Sequence, residues 1–299
     1  MSQIQLGELA AVATALLWTL GVLAWTYSGK YLGALAVCFW RLVIAGALMM
    51  LYGYVARGFW FPTDAPMQTW LYLSASGLTG FVVCDLCLFK AYLLIGPRLS
   101  LLILSLAPPM AALISWVFIG DALSLHQWIA MGITLAGVAW VVLEQPTHDD
   151  HPRRQSHWSR GVALALLAAV MHAGSYVLSK KGIGEYDAVG ATLIRAMAGI
   201  VCYVVLITLW RRWPAMISAL HQVRAMTALT LGAVMGSFMG VALSLAALRL
   251  APTGVVATII ATMPVLILPF SIFHYREKIS LRAAFGAIIA VSGVAMLML

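Results

Sequence analysis

The sequence predicts an all-α membrane protein with ten transmembrane helices in two inverted five-helix repeats. Three observations carry that expectation. Of the 299 residues, 63% are apolar and 9% are Asp, Glu, Lys or Arg, against about 45–50% and about 25% in soluble domains. Lipid must be the solvent, and in lipid a helix satisfies its own backbone hydrogen bonds. Ten apolar runs approach the length needed to cross the hydrocarbon core, which takes about 20 helical residues. Finally, landmarks of the first half recur in the second at a near-constant separation.

The runs are 7–27, 33–55, 67–89, 99–119, 126–143, 161–179, 188–209, 226–248, 252–273 and 281–299. The first lacks the basic flank of a secretory signal and carries Glu8, so it is expected to stay as a membrane helix. Loops are expected at Ser28-Gly29-Lys30, Pro62-Thr63-Asp64, Gly96-Pro97-Arg98 and Gly182-Ile183-Gly184. The longest polar stretch, 144–160, separates a first repeat at 1–143 from a second at 161–299. Across it, Pro97 matches Pro252 and Pro109 matches Pro264, each pair 155 residues apart. Asp121 and Ser124 match Glu277 and Ser280, and Gly137-Val138 matches Gly293-Val294. Earlier, Gly21 matches Gly174 and Arg41 matches Arg195. Five spans is an odd number, so the second copy enters the membrane from the opposite side. Inverted repeats of that kind are typical of secondary transporters, whose substrate site lies near the midplane between the halves.

Other function classes fit poorly. The net charge of +8 sits in short loops between apolar runs, as membrane proteins place it, so nucleic acid is not an expected partner. Cys84 and Cys87 have the CxxC spacing of some redox and zinc sites. On a membrane helix they are neighbours on one face and pack as small hydrophobes; no metal or cofactor is expected. The chain has no HExxH, GxSxG, P-loop or paired intramembrane aspartates, the constellations an enzyme would need. Rings of charge or a carbonyl filter, which a channel would carry, are also missing from the pattern.

Ionisable groups inside the membrane are expensive and mark function by default. Asp85 is the acid well inside a run, and His172 the histidine. Asp85 precedes Lys90 by five residues, so a structural ion pair competes with proton exchange there. Arg41 and Arg195 lie about two helical turns into their runs and are expected to act structurally, snorkelling or reaching a helix end. Polar side chains share helix faces at Thr14, Trp18 and Gly21; at His172 and Tyr176; at Ser237 and Ser244; and at Thr258 and Thr262. Such stripes serve helix packing or a cavity equally well, although His172 with Tyr176 favours a cavity. Trp60, Trp70, Trp158, Trp210 and Trp213 fall near run ends, as an interfacial belt does; Trp18 does not. Pro108, Pro109, Pro264 and Pro269 remove backbone hydrogen bonds within the fourth and ninth runs. Pro108, Pro109 and Pro264 are hinge candidates, and the breaks put loose backbone beside Ser105, Thr258 and Thr262.

The chain resembles the drug/metabolite transporter superfamily, specifically its EamA-type ten-helix members. The residues that carry the likeness are Pro109, Asp121, Ser124 and Gly137-Val138 in the first copy, with Ala130 where the family often has glycine. In the second they are Pro264, Glu277, Ser280, Gly286 and Gly293-Val294. Arg41 and Arg195 also fit. Within the family it looks most like the YddG-type exporters of aromatic and other amino acids. The resemblance implies a central cavity drawn from helices one, three, four, six, eight and nine.

Residues and resemblance together lead to a monomeric exporter of neutral, including aromatic, amino acids and related small metabolites. It would work by alternating access and facilitated diffusion. The expected substrate contacts are Thr14, Trp18, Ser105, His172, Tyr176, Ser237, Ser244, Thr258 and Thr262. Asp85 and His172 are the coupling groups if the protein is instead a proton antiporter. The positive residues Arg57, Lys180, Lys181 and Arg249 fall on the side of the termini, and eleven fall on the other side. The positive-inside rule then puts the linker in the cytoplasm and both termini outside a bacterial-type inner membrane. Family members are often drawn the other way round.

Overall fold

The computed structural model describes residues 3–144, 158–263, 265–266 and 281–297. Pro264, Pro269, Glu277, Ser280 and most of the linker lie outside them. The helices are α1 (Gln3–Leu32), α2 (Ala34–Arg57), α3 (Met67–Gly77), α4 (Asp85–Leu104), α5 (Ala107–Ile119), α6 (Leu125–Glu144) and α7 (Trp158–Ile183). The second half continues with α8 (Ala188–Leu209), α9 (Trp213–Leu220), α10 (Val223–Gly232), α11 (Val241–Leu250), α12 (Thr253–Ile260) and α13 (Leu281–Leu297). No strand occurs among the described residues.

These elements form ten rods. A π-helical segment, Leu78–Cys84, joins α3 to α4, and another, Ala233–Gly240, joins α10 to α11. The two begin 155 residues apart, the same separation as the repeated prolines. The fourth rod is the end of α4 followed by α5; the ninth opens with α12 and is described to Leu266. The amphipathic α9 is a short link between the seventh and eighth rods. One expected loop is helical instead: α1 runs through Ser28-Gly29-Lys30 to Leu32. At Gly96-Pro97-Arg98 the helical residues of α4 continue without a gap, but the chain turns back there: Leu94 and Ile95 meet Gly161 at the start of α7, whereas Leu104 lies with His172 and Tyr176 farther along it.

Both proline-bearing rods break where the sequence placed the hinges. Helix stops at Leu104 and resumes at Ala107; it stops at Ile260, with Ala261 and Thr262 in a turn. Pro108 and Pro264 have no N–H to return to Leu104 and Ile260, so the ladder ends there. Pro108 and Pro109 then suit the first turn of the new helix, α5.

The repeats are interleaved, because the main contacts run between them. α1 packs along α10, the second π segment and α11, while α7 packs along α3, the first π segment and α4. α2 pairs with α8, α6 with α13, and α5 with α12. The partners are antiparallel: Gly7 at the start of α1 meets Leu250 and Ala251 at the end of α11, and Gly182 at the end of α7 meets Tyr72 and Leu73 on α3. The repeated glycines explain the α6–α13 crossing. A Cβ on Gly137 would sit 2.4 Å from the Ala290 nitrogen, and one on Gly293 would sit 2.4 Å from Thr134 Oγ1. Each glycine lets its helix approach the other backbone, the usual way membrane helices associate.

On the side of the termini, one carboxylate ties four elements together. Gly120, at φ 77°, ends α5 in the left-handed region that glycine tolerates. The chain then presents Asp121. Its Oδ2 accepts from Lys180 Nζ on α7 (2.7 Å), from Ser115 Oγ (3.1 Å), and from the backbone N–H (2.8 Å) and Oγ1 (3.0 Å) of Thr253 at the start of α12. Lys180 also donates to the Ala251 carbonyl. Three residues on, Ser124 and Gln127 exchange side-chain and backbone hydrogen bonds and cap α6. The repeated acid-x-x-serine motif is, in this copy, a latch followed by a cap.

Burial raises the Asp121 pKa, but the hydrogen bonds from Lys180 and Thr253 outweigh it and hold the carboxyl below its ordinary value. A depressed pKa adds stability above the unfolded value of about 4 and loses it as pH falls through the folded value. Asp121→Ala should lower stability in detergent by about 3 kcal/mol, the usual loss when a largely buried pair is broken, read as a lower denaturation temperature. Asp121→Asn should remove part of the acid destabilisation seen below about pH 4. A melting curve for Asp121→Ala that superposes on the native one would show that the latch holds nothing.

Candidate functional site

The two breaks face each other across a cleft. Leu104, Ser105, Ala107 and Pro108 line one wall, Ala257, Ile260, Ala261 and Met263 another, and His172 and Tyr176 of α7 a third, around a narrow space. The walls are mostly apolar, with few polar groups, as small-molecule sites usually are.

The polar groups converge from separate elements. The rings of His172 and Tyr176 meet edge to face at 4.7 Å. Trp18 stands on α1 with its ring 6.5 Å from that of His172. It is held by its indole N–H, which donates to the Gly236 carbonyl at 3.1 Å. The glycines of the second π segment make room for it: a Cβ on Gly240 would lie 2.5 Å from the Trp18 ring. Behind His172, Cys84 Sγ lies 3.7 Å from Nδ1. Tyr176 is 5% exposed, and its hydroxyl has no hydrogen-bond partner among the described residues.

The structure brings Ser105, Pro108, His172 and Tyr176 together, with Trp18 beside them. It does not bring the other hydroxyls to the lining. Thr14 donates to the Ala10 carbonyl, Ser244 to Val241, Thr258 to Gly254 and Thr262 to Ile259. A hydroxyl in lipid takes the nearest acceptor, the carbonyl a turn earlier in its own helix. Ser237 is buried within the second π segment. Pro109 follows the lining on α5, and Pro264 lies outside the described residues.

The intramembrane charges differ from expectation. Asp85 pairs with Arg41 on α2, not with Lys90; residues five apart on a helix do not face each other. Arg41 and Arg195 do not snorkel. They are 7% and 5% exposed, Arg41 lies over the Trp25 ring and Arg195 over Phe81, and Arg195 donates to Ser175 Oγ. Ser175 belongs to a hydroxyl cluster with Ser76 and Ser179 that binds α7 to α3. The described ion pairs include a carboxylate for Arg41 and none for Arg195.

Two features were missed in the sequence. Glu8, placed at a helix end, is 2% exposed, with Oε2 unpartnered, on the face of the termini. The Asp121 latch carried a signal in the repeated acid-x-x-serine motif, but nothing along the chain pointed to Lys180 as its partner. A smaller recess lies between the end of α2 and the start of α8. Its Arg57 is already engaged by Asp64, Asp187 and Tyr186, so the charges there neutralise one another.

The comparisons with known proteins agree with this architecture. No curated protein matches the chain in sequence at significance. A solved structure, titled only as the crystal structure of a protein, superposes with a TM-score of 0.72 and 18% identity, over 97% of this chain and 95% of that one. At that identity the match speaks to the fold. The sequence profile of the EamA-like transporter family matches twice, at residues 5–143 and 159–299. With both copies matched over nearly the whole length, the chain belongs to the EamA-like transporter family of the drug/metabolite transporter superfamily, and its coarse activity is transport across a membrane.

Proposed function

We propose that the protein exports neutral amino acids, aromatic ones among them, and related compact metabolites by alternating access. The observation that carries this reading is the cleft between the broken rods. Its lining is apolar and aromatic, with His172 and Tyr176 as its ring-borne polar groups and, among the described residues, no carboxylate, lysine or arginine. Phosphorylated sugars or nucleotide sugars would call for several inward cations. The YddG-type likeness points to the same substrate class.

Facilitated diffusion fits the charge inventory. A proton antiporter exchanges its proton through an acid or histidine within the membrane. Asp85 is already paired with Arg41, which leaves His172 as the candidate in the cleft. The antiporter is the second reading, and it rests on that residue. As to sidedness, four Lys and Arg residues fall on the side of the termini and eleven on the linker side, which supports a cytoplasmic linker in an inner membrane.

In proteoliposomes without a pH gradient or voltage, substrate should equilibrate, and an imposed pH gradient should not drive accumulation. Trp18→Ala should weaken apparent affinity about tenfold, as losing an aromatic contact of ~1.4 kcal/mol does. If Trp18→Ala and His172→Ala both leave transport of every tested amino acid unchanged, the cleft is not the substrate site. Accumulation up a gradient that vanishes in His172→Gln would make the protein an antiporter. An alkaline phosphatase fused after Leu299 should be active, since that enzyme works only outside the cytoplasm; an inactive, expressed fusion reverses the orientation.

A further inference from the structure

Two walls of the cleft are electrically unlike. On the α4–α12 side, the lining residues Leu104 and Ile260 each stand four residues before a proline, so the helical donors of their carbonyls do not exist. The start of α5 lies on the same wall, so these carbonyls act as single acceptors that no helical N–H covers, not through a helix dipole. On the α7 side the polarity reverses. The Tyr176 hydroxyl is buried and has no partner among the described residues. Behind it is Arg195, bonded to Ser175, the residue before Tyr176, and interacting electrostatically with Tyr176. Arg195 is 5% exposed, its Nε has no partner, and the described ion pairs give it no carboxylate. Its repeat-mate Arg41 has Asp85; the position matching Asp85 in the second copy is Gly240. Asp85 also attracts Arg195, but two guanidinium groups share that one carboxylate, so one positive charge is left over on the α7 side.

We propose that the cleft recognises a zwitterion by its two poles: the ammonium group lies against the Leu104 and Ile260 carbonyls, and the carboxylate accepts from the Tyr176 hydroxyl in the field of Arg195. The inference rests on the cleft being the amino-acid site proposed above, and adds which end of the substrate each wall reads. It also explains an orphaned tyrosine hydroxyl in a buried setting, where a lost hydrogen bond is costly. Substrates that carry only one pole leave the other wall unpartnered and bind more weakly. The site selects for the α-amino-acid head and leaves the side chain to the apolar lining and Trp18.

The test uses the full chain in proteoliposomes and measures competition against labelled phenylalanine. The competitors are phenethylamine, which keeps only the ammonium, and 3-phenylpropionate, which keeps only the carboxylate. Each should compete about tenfold or more weakly than phenylalanine, the worth of a charge-assisted hydrogen bond. Tyr176→Phe should weaken phenylalanine and 3-phenylpropionate about tenfold and leave phenethylamine within about twofold. Pro108→Ala, which gives Leu104 a donor, should do the opposite: it should weaken phenylalanine and phenethylamine and spare 3-phenylpropionate. Both variants are first checked for a native melting temperature in detergent; should Pro108→Ala not fold, Tyr176→Phe alone decides. If Tyr176→Phe shifts the amine and the acid equally, or shifts neither, the inference is overturned while amino-acid transport stands. If no amino acid is carried but a cationic amine is, the proposed function fails and the inference fails with it.

Discussion

In the middle of a bilayer, a backbone carbonyl that loses its helical donor cannot turn to water. Two rods nevertheless break there, each just ahead of a proline, and much of the architecture answers that cost. The breaks face one another, so the affected carbonyls share one cleft instead of two lipid-facing scars. α5 restarts with prolines in the positions where a missing N–H is harmless. α7 packs against α5 and α12 and closes the third wall with aromatic rings. The second π segment serves the same end: its Gly236 carbonyl holds Trp18, and its Gly240 leaves room for the ring beside His172.

Charge follows a second economy. Two arginines related by the repeat are buried at corresponding depths, and each covers an aromatic ring. A buried guanidinium needs either a carboxylate or a dense set of acceptors. Arg41 has the first, while Arg195 has a serine hydroxyl and the ring. Outside the membrane core the pattern is conventional. Arg57, Lys180 and Arg249 are each paired, and Asp121 adds the start of α12 to its cation.

The sequence made the fold legible because each of its signals is local. Apolar runs, a polar linker and paired prolines can be counted without knowing what touches what. The same locality located the breaks within two or three residues of where they occur. The site was legible only in part. His172, Tyr176 and Ser105 came together because a helix period and a proline are local facts. Thr14, Ser244, Thr258 and Thr262 looked equally polar in the sequence, yet each spends its hydroxyl on its own helix. Whether a threonine faces back or inward is decided by packing, which no spacing records. Partnerships across the chain were hidden for the same reason: Arg41 lies 44 residues from Asp85, and Lys180 lies 59 from Asp121. The Ser28 tripeptide misled because turn-forming composition was read without the lipid that keeps such residues helical.

The mismatch between Asp85 and Gly240 reaches further than the charge of one wall. For a carrier built from two inverted copies, a perfect repeat would make the form open to one side equivalent, by a two-fold rotation in the membrane plane, to the form open to the other, with equal free energy. The two would then be populated equally in a symmetric bilayer, and no direction would be preferred at rest. Any bias must come from positions at which the copies differ, and a difference of a few kcal/mol is enough to make one form a minor species. A carboxylate matched by a glycine, beside a pair of buried guanidinium groups, is a large departure from that equivalence. Where such a molecule waits between cycles is therefore written in its departures from symmetry, and its capacity to cycle in the symmetry itself.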